Sequence, residues 1–184
     1  MVLLTKTFTS SWLNLDSWSE TYIGIYRIVY KILPSDTKQQ TSEDGALCQL
    51  AVVGANHLME VALFSLFKPY INAKGFSWSI TQKEFENAGY YDALSKWVPQ
   101  VLEKPLDLSQ EPFFSTERLR KRRNVTIHKT SAVATIDMAH SALYSAVEGS
   151  KALYSHFGEL FKYKKLIEQY PLPIEKWFSA TNCP

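Results

Sequence analysis

The chain has 184 residues, of which 46% are hydrophobic and 21% are charged, and its formal net charge is +2. These values are typical of one globular domain with a single core, and they exclude general disorder. The net charge is too small to indicate a partner by itself. The two cysteines, Cys48 and Cys183, are too distant in sequence for a paired metal-ligand motif or a disulfide framework, so we expect a reducing, cytoplasmic setting.

The first predicted helix follows an N-terminal arm. Residues 1–15 are rich in serine and threonine and are expected to form a loosely held arm, whose apolar start is too short for a signal peptide. Asp16 or Ser17 is suited to cap a helix that runs to about Leu33, because Pro34 disfavours helical backbone in the residue before it.

The longest apolar stretch, 46–67, predicts a second helix over about 45–68, after a polar loop at 34–44 and ending near Pro69. This helix is apolar nearly all round, which indicates burial on both sides, with one side at a subunit interface. Four polar residues interrupt the stretch: Gln49, Asn56, His57 and Glu60. Because each would be costly in lipid, we predict a core helix and no membrane association.

The middle of the chain is predicted to contain one interrupted helix between two loops. A turn is expected at 75–79, and the sequence Thr-Gln-Lys-Glu at 81–84 matches a capping box that begins a helix. We expect this helix to break at 87–89 and to resume as far as Leu102, before a loop at 105–112.

The C-terminal part is predicted to hold a basic helix, capped by Ser115 or Thr116, and a long final helix. The final helix carries a narrow packing seam in which steps of four and three alternate: Ala132, Ile136, Ala139, Leu143, Ala146, Ser150, Leu153, Phe157 and Leu160. We expect it to end before Pro171 and the tail at 171–184 to be irregular. The expected fold is all-α: one domain over 1–184, built as an antiparallel bundle of about five or six helices.

The basic helix concentrates positive charge. Six basic residues lie within twelve positions with no acid among them: Arg118, Arg120, Lys121, Arg122, Arg123 and Lys129. Such a run is a possible footprint for RNA phosphates, and its alternative interpretation is a solvated helix face.

The run 123–128, Arg-Asn-Val-Thr-Ile-His, is the best candidate for chemistry. The chain has no glycine-rich phosphate loop, no His-Glu-x-x-His or paired-cysteine metal site and no Gly-x-Ser-x-Gly elbow, so we expect neither a cofactor nor a metal. On a helix Asn124 and His128 share a face, and the long side chain of Arg123 can reach it. Histidine exchanges protons near neutral pH, and arginine grips phosphate oxygens with a planar fork of donors. These groups suffice for metal-free attack of a ribose 2′-OH on the neighbouring phosphate.

This motif resembles the signature of the HEPN family, in which Arg is followed by four to six residues and His, often with a polar residue directly after the Arg. The resemblance implies a helical domain that acts as a homodimer, with two motifs facing each other across a basic cleft. It implies metal-independent endoribonuclease activity, with Arg123, Asn124 and His128 as the catalytic set and the other basic residues binding RNA. Some relatives are toxins controlled by a nucleotidyltransferase antitoxin, and others serve in defence against phage. A tyrosine that commonly receives the nucleotide is replaced here by Thr130, which puts that mode of control in doubt.

Alternatives stay open at the level of the sequence. A non-catalytic HEPN-like module could bind RNA, a nucleotide or a protein partner, and a plain helical dimerisation scaffold would make the motif a coincidence. Each motif residue also has a non-catalytic interpretation. His128 would bond to backbone at a helix end, Arg123 would form a salt bridge, and Asn124 would cap a helix. Asn56 and Glu60 either face the motif from the second helix or, as we prefer, form a solvent-facing stripe.

Overall fold

The computed structural model describes residues 16–73, 89–128 and 133–179, with the backbone alone for 68–73 and for His128. Within these ranges the chain forms six helices and no strand, which confirms the predicted all-α bundle. The helices are α1 (Ser17–Arg27), α2 (Ser42–Ala73), α3 (Tyr90–Asp92, Ala93–Trp97 and Val98–Leu102 in succession), α4 (Phe113–His128), α5 (Ile136–His156) and α6 (Lys164–Gln169).

Helix α1 begins where the sequence predicts, and the π-helical turn that continues it ends at the predicted Leu33. The Asp16 carboxylate accepts a hydrogen bond from the Ser19 backbone N–H at 2.9 Å, which satisfies one of the free donors of the first turn. After Arg27 the helix widens into a π-helical turn over Ile28–Ile32. Leu33 then adopts extended backbone, as expected for the residue before Pro34.

Helix α2 is longer at both ends than predicted. It begins at Ser42, inside the expected loop, because Thr41 and Asp44 form a reciprocal capping box: the Thr41 N–H donates to the Asp44 carboxylate at 2.8 Å, and the Asp44 N–H donates to the Thr41 hydroxyl at 3.2 Å. It also continues through Pro69 to Ala73. A proline removes one backbone hydrogen bond, a loss that a long helix packed against several neighbours can tolerate. The turn at 75–79 and the capping box at 81–84 lie outside the described residues.

The start of α4 corrects the predicted cap. The helix begins at Phe113, so Ser115 and Thr116 lie within its first turn, where both are buried. The cap comes from Glu111, whose carboxylate accepts hydrogen bonds from the Ser115 backbone N–H at 3.1 Å and from its hydroxyl at 2.8 Å. A carboxylate at this position also interacts favourably with the helix dipole.

Helix α5 confirms the predicted seam from Ile136 to Phe157, because every predicted seam residue between these two is buried. Thr135 sets its start by accepting a hydrogen bond from the Met138 N–H at 3.2 Å. The prediction is wrong for Leu160, which is 92% exposed, because the helix ends at His156. Ala132 lies outside the described residues.

The core is centred on α2 and α5, which run parallel. The Ser150 hydroxyl lies 3.7 Å from the Met59 sulfur, and further along both helices the rings of Phe67 and Phe157 meet edge to face at 5.4 Å. Since both contacts advance in the same direction, the two helices point the same way. They are not consecutive in the chain.

Two pairs of helices, α1 with α2 and α4 with α5, run in opposite directions. At the start of α1, the Ser17 hydroxyl lies 3.4 Å from a ring nitrogen of His57, far along α2. Early in α4, Thr116 packs close to Gly149, late in α5, whereas Arg122 bonds to Val133 just before α5 begins. The stretch Ser42–Phe67 of α2 has the length and hydropathy of a membrane span, a test that core helices also pass, and 56% of its most apolar window is buried inside the protein.

Gly149 allows three helices to approach closely, and its replacement should destabilise the fold. A Cβ atom there would lie 2.6 Å from the Thr116 methyl group and 2.7 Å from the Met59 sulfur. We expect Gly149→Ala to lower the free energy of unfolding by about 1–3 kcal/mol, since overpacking outweighs the better helix propensity of alanine. The matched control is Gly24→Ala in α1, where nothing lies within 4 Å and a gain of about 0.5–1 kcal/mol is expected. Urea unfolding measures both, and shifts of the same sign would contradict this packing.

Candidate functional site

The predicted catalytic residues lie at the C-terminal end of α4. The Arg123 guanidinium donates a hydrogen bond from Nη1 to the Asn124 side-chain oxygen at 3.1 Å, and both side chains are half-buried. Asn124 and His128 are four residues apart on one helix, so they share a face. The hydrogen bond therefore brings the guanidinium toward the face on which His128, the last residue of the helix, is placed.

The basic patch is partly neutralised by Glu117, a residue just outside the window of positive charge. Both oxygens of Glu117 bind Arg120, which donates from Nε at 2.8 Å and from Nη2 at 2.7 Å. The hydrogen bonds that Arg120 donates to this carboxylate raise the pKa of its guanidinium. Two-pronged pairing of this kind occupies the same donors that would bind a phosphate. The spacing of three residues between Glu117 and Arg120 was the sequence signal for this pair.

Of two other predicted RNA-binding residues, Lys121 is exposed and Arg118 is half-buried. The Lys121 side chain is 65% exposed, and its ammonium lies 3.8 Å from the Glu117 carboxylate, a distance that solvent screens. The Arg118 guanidinium stacks over the Phe114 ring at 3.8 Å. Lys129 lies outside the described residues.

Arg122 does not belong to the surface patch, which corrects its assignment to RNA binding. Its side chain is turned into the protein, the residue is only 4% exposed, and its Nη2 donates a hydrogen bond to the Val133 carbonyl. A guanidinium in this position ties α4 to the residues that precede α5. It is not placed to meet a phosphate at the surface.

Two buried polar side chains, one on α2 and one on α3, were not expected from the sequence. Asn56 is buried, contrary to the predicted solvent-facing stripe, and its amide donates to the Glu60 carboxylate at 2.8 Å. Burial raises the pKa of the Tyr90 hydroxyl, and the negative charges of Glu117 and Glu60 raise it further. The sequence did not single out Tyr90, which is a buried residue of α3. The ring of its neighbour Tyr91 lies 5.1 Å from the Arg120 guanidinium of α4.

The described side chains contain no group of three or more His, Cys, Asp or Glu residues arranged to hold a metal ion. Comparisons with protein-family models, with curated proteins and with solved structures give no match. The described part of the chain is therefore an all-α helical bundle that carries a hydrogen-bonded Arg-Asn pair near the end of α4.

Proposed function

We propose that the protein is a metal-independent endoribonuclease, with Arg123 and His128 as catalytic residues and Asn124 orienting the arginine. The observation that supports this proposal is the hydrogen bond from Arg123 to Asn124, one helical turn before His128. It joins a permanent cation to the helix face that also carries a group able to exchange protons near neutral pH.

The proposed reaction is cleavage by the RNA's own ribose. His128 removes the proton from a 2′-OH, and the 2′-oxygen attacks the adjacent phosphorus to form a new P–O bond. The P–O5′ bond breaks, the 5′-oxygen takes a proton from water, and a 2′,3′-cyclic phosphate remains, while His128 returns the proton it accepted to solvent. Arg123 stabilises the negative charge that builds on the phosphate oxygens during attack.

The proposed active form is a homodimer. The outward face of α2 carries apolar residues at helical spacing, among them Ala46, Leu50 and Val53, and Leu50 is 60% exposed. Beside the motif, Ile127 is 47% exposed, and Val133, just before α5, is 70% exposed. Burying such surfaces against a second copy would be favourable, because each buried apolar side chain contributes about 1.5–3 kcal/mol.

Dimerisation is open to a direct test by sedimentation velocity. We expect a dimer at micromolar concentration and ordinary salt, and we expect Leu50→Glu to shift it toward monomer because a charge would be buried at the interface. Leu160→Glu is the matched control, since Leu160 is even more exposed and lies outside α2. A wild-type monomer, or equal effects of the two variants, would contradict the proposed interface.

RNA binding should depend on salt through the residues that remain at the surface of α4. We expect Lys121→Ser to weaken binding and to reduce the salt slope by about 0.7, the value for one contact to a single strand. Glu117→Gln should strengthen binding, because it removes a negative charge and releases Arg120. Lys164→Ser on α6, whose side chain is 81% exposed, is the control that should leave binding unchanged. Fluorescence anisotropy at several salt concentrations measures all three, and a Glu117→Gln variant that binds more weakly would remove this patch from the proposal.

A non-catalytic HEPN-like module is the second candidate, and the Glu117–Arg120 pair favours it. A carboxylate that occupies the arginine fork leaves fewer cations for substrate phosphate than the sequence indicates. Such a module would bind RNA, a nucleotide or a protein partner without cleavage. Incubation of the purified protein with mixed RNA in EDTA separates the two, because only the enzyme produces fragments.

A further inference from the structure

The residues that follow the motif are held by a glutamine from a distant part of the chain. Gln40 lies in the connection between α1 and α2, where it is half-buried. Its amide donates from Nε2 to the Ala134 carbonyl at 2.8 Å, and its oxygen accepts from the Ile136 backbone N–H at 3.0 Å. One side chain thus satisfies a carbonyl and an N–H of the segment that leads into α5, as a neighbouring strand would.

Arg122 holds the same segment from the other side. Its Nη2 donates to the Val133 carbonyl, the residue directly before Ala134. Among the described residues no carboxylate pairs with Arg122 and its Nε has no hydrogen-bond partner, so burying this cation is unfavourable by itself. Among the described contacts of the buried guanidinium, the hydrogen bond to the Val133 carbonyl is the one that offsets this cost.

Together the two side chains tie α4, at the residue before Arg123, to the backbone that leads into α5. Arg122 directly precedes Arg123 in α4, and Gln40 and Arg122 secure Val133, Ala134 and Ile136 beyond it. His128 is the final residue of α4, a position where backbone hydrogen bonds run out and helices fray. A contact that restricts motion at the end of α4 therefore also restricts the position of His128.

We infer that Gln40 and Arg122 are positioning residues of the proposed ribonuclease site, an inference that rests on the proposed function. Neither side chain touches the substrate in this role. They act through the backbone at 133–136, which restricts the end of α4 and with it the distance between His128 and the ribose 2′-OH. A displacement of about 1 Å in such a geometry can lower the rate about 100-fold.

The test compares two neighbouring glutamines. We expect Gln40→Met, which keeps the size of the side chain and removes both hydrogen bonds, to lower kcat by about 10-fold or more while KM for RNA changes less than about twofold. Gln39→Met, at the exposed neighbouring position, should leave both constants unchanged. Arg122→Met should resemble Gln40→Met, and Arg122→Lys should recover part of the loss, because an ammonium can still donate to Val133. If Gln40→Met fails to fold by circular dichroism, Gln40→Asn serves the same comparison.

Hydrogen exchange supplies a readout that does not depend on cleavage. In Gln40→Met the backbone amides at 125–128 should exchange at least about 10-fold faster, whereas the amides in the middle of α2 should keep their protection. A folded Gln40→Met protein with wild-type kcat and wild-type exchange at 125–128 would overturn the inference. If wild type itself cleaves no RNA, the proposed function fails and the catalytic role of Gln40 fails with it. That result differs from an active wild type whose Gln40→Met variant is equally active, which refutes the positioning role alone.

Discussion

His128→Ala is expected to lower the rate of RNA cleavage by about 100-fold or more, the usual effect of removing one general acid or base. The assay is carried out in EDTA with wild type beside the variant, because in the proposed mechanism Arg123 supplies the positive charge that a metal would otherwise provide. Binding of RNA should survive the change, since a neutral histidine adds little to phosphate attraction. His57→Ala is the matched control: His57 is exposed on α2, and its loss should leave the rate unchanged.

The products and the arginine provide two further checks on the same assignment. Fragments should end in a 2′,3′-cyclic phosphate, and DNA or RNA methylated at the 2′-oxygen should resist cleavage because the attacking group is missing. Arg123→Lys should not restore full activity, since an ammonium cannot reproduce a two-pronged contact with phosphate. Cleavage only with added divalent metal, or equal cleavage of DNA, would show that these roles are wrong. Binding without cleavage would favour the non-catalytic module.

Trp18→Ala is expected to produce the largest loss of stability, about 3–5 kcal/mol in the free energy of unfolding. Trp18 is fully buried, and its ring stacks on Tyr163 at 4.1 Å and on Tyr22 at 5.3 Å. Its indole N–H donates to the Ser150 hydroxyl at 3.3 Å, so the side chain joins α1, α5 and the segment before α6. Its removal would leave a large cavity and would remove the ring on which Tyr163 and Tyr22 stack.

The control for this prediction is Trp177→Ala. Trp177 is partly exposed and meets the Tyr144 ring edge to face at 4.9 Å, so its removal should cost less than about half as much. Urea unfolding followed by circular dichroism measures both variants. Similar losses for the two tryptophans would contradict the central place of Trp18 in the core.

Local patterns in the sequence predicted most of the helical architecture. The seam from Ile136 to Phe157, the Asp16 cap and the end of the first helix at Leu33 each depend on residues within one or two turns of one another. Side-chain periodicity and capping chemistry act over this range, so they are readable without the fold. The motif at 123–128 and the bond from Arg123 to Asn124 belong to the same class, since both lie on one helix.

What only the tertiary structure decided involves partners far apart in the chain. The parallel packing of α2 and α5 and the hydrogen bond from Gln40 to the Ala134 carbonyl join residues that no periodicity connects. The burial of Arg122 was equally hidden, because neighbouring arginines look alike in sequence, and only the position of α5 determines which of them points inward. Helical spacing fixes the direction in which each side chain leaves the axis of its helix. The position of the neighbouring helix decides whether a side chain in that direction meets solvent or the core.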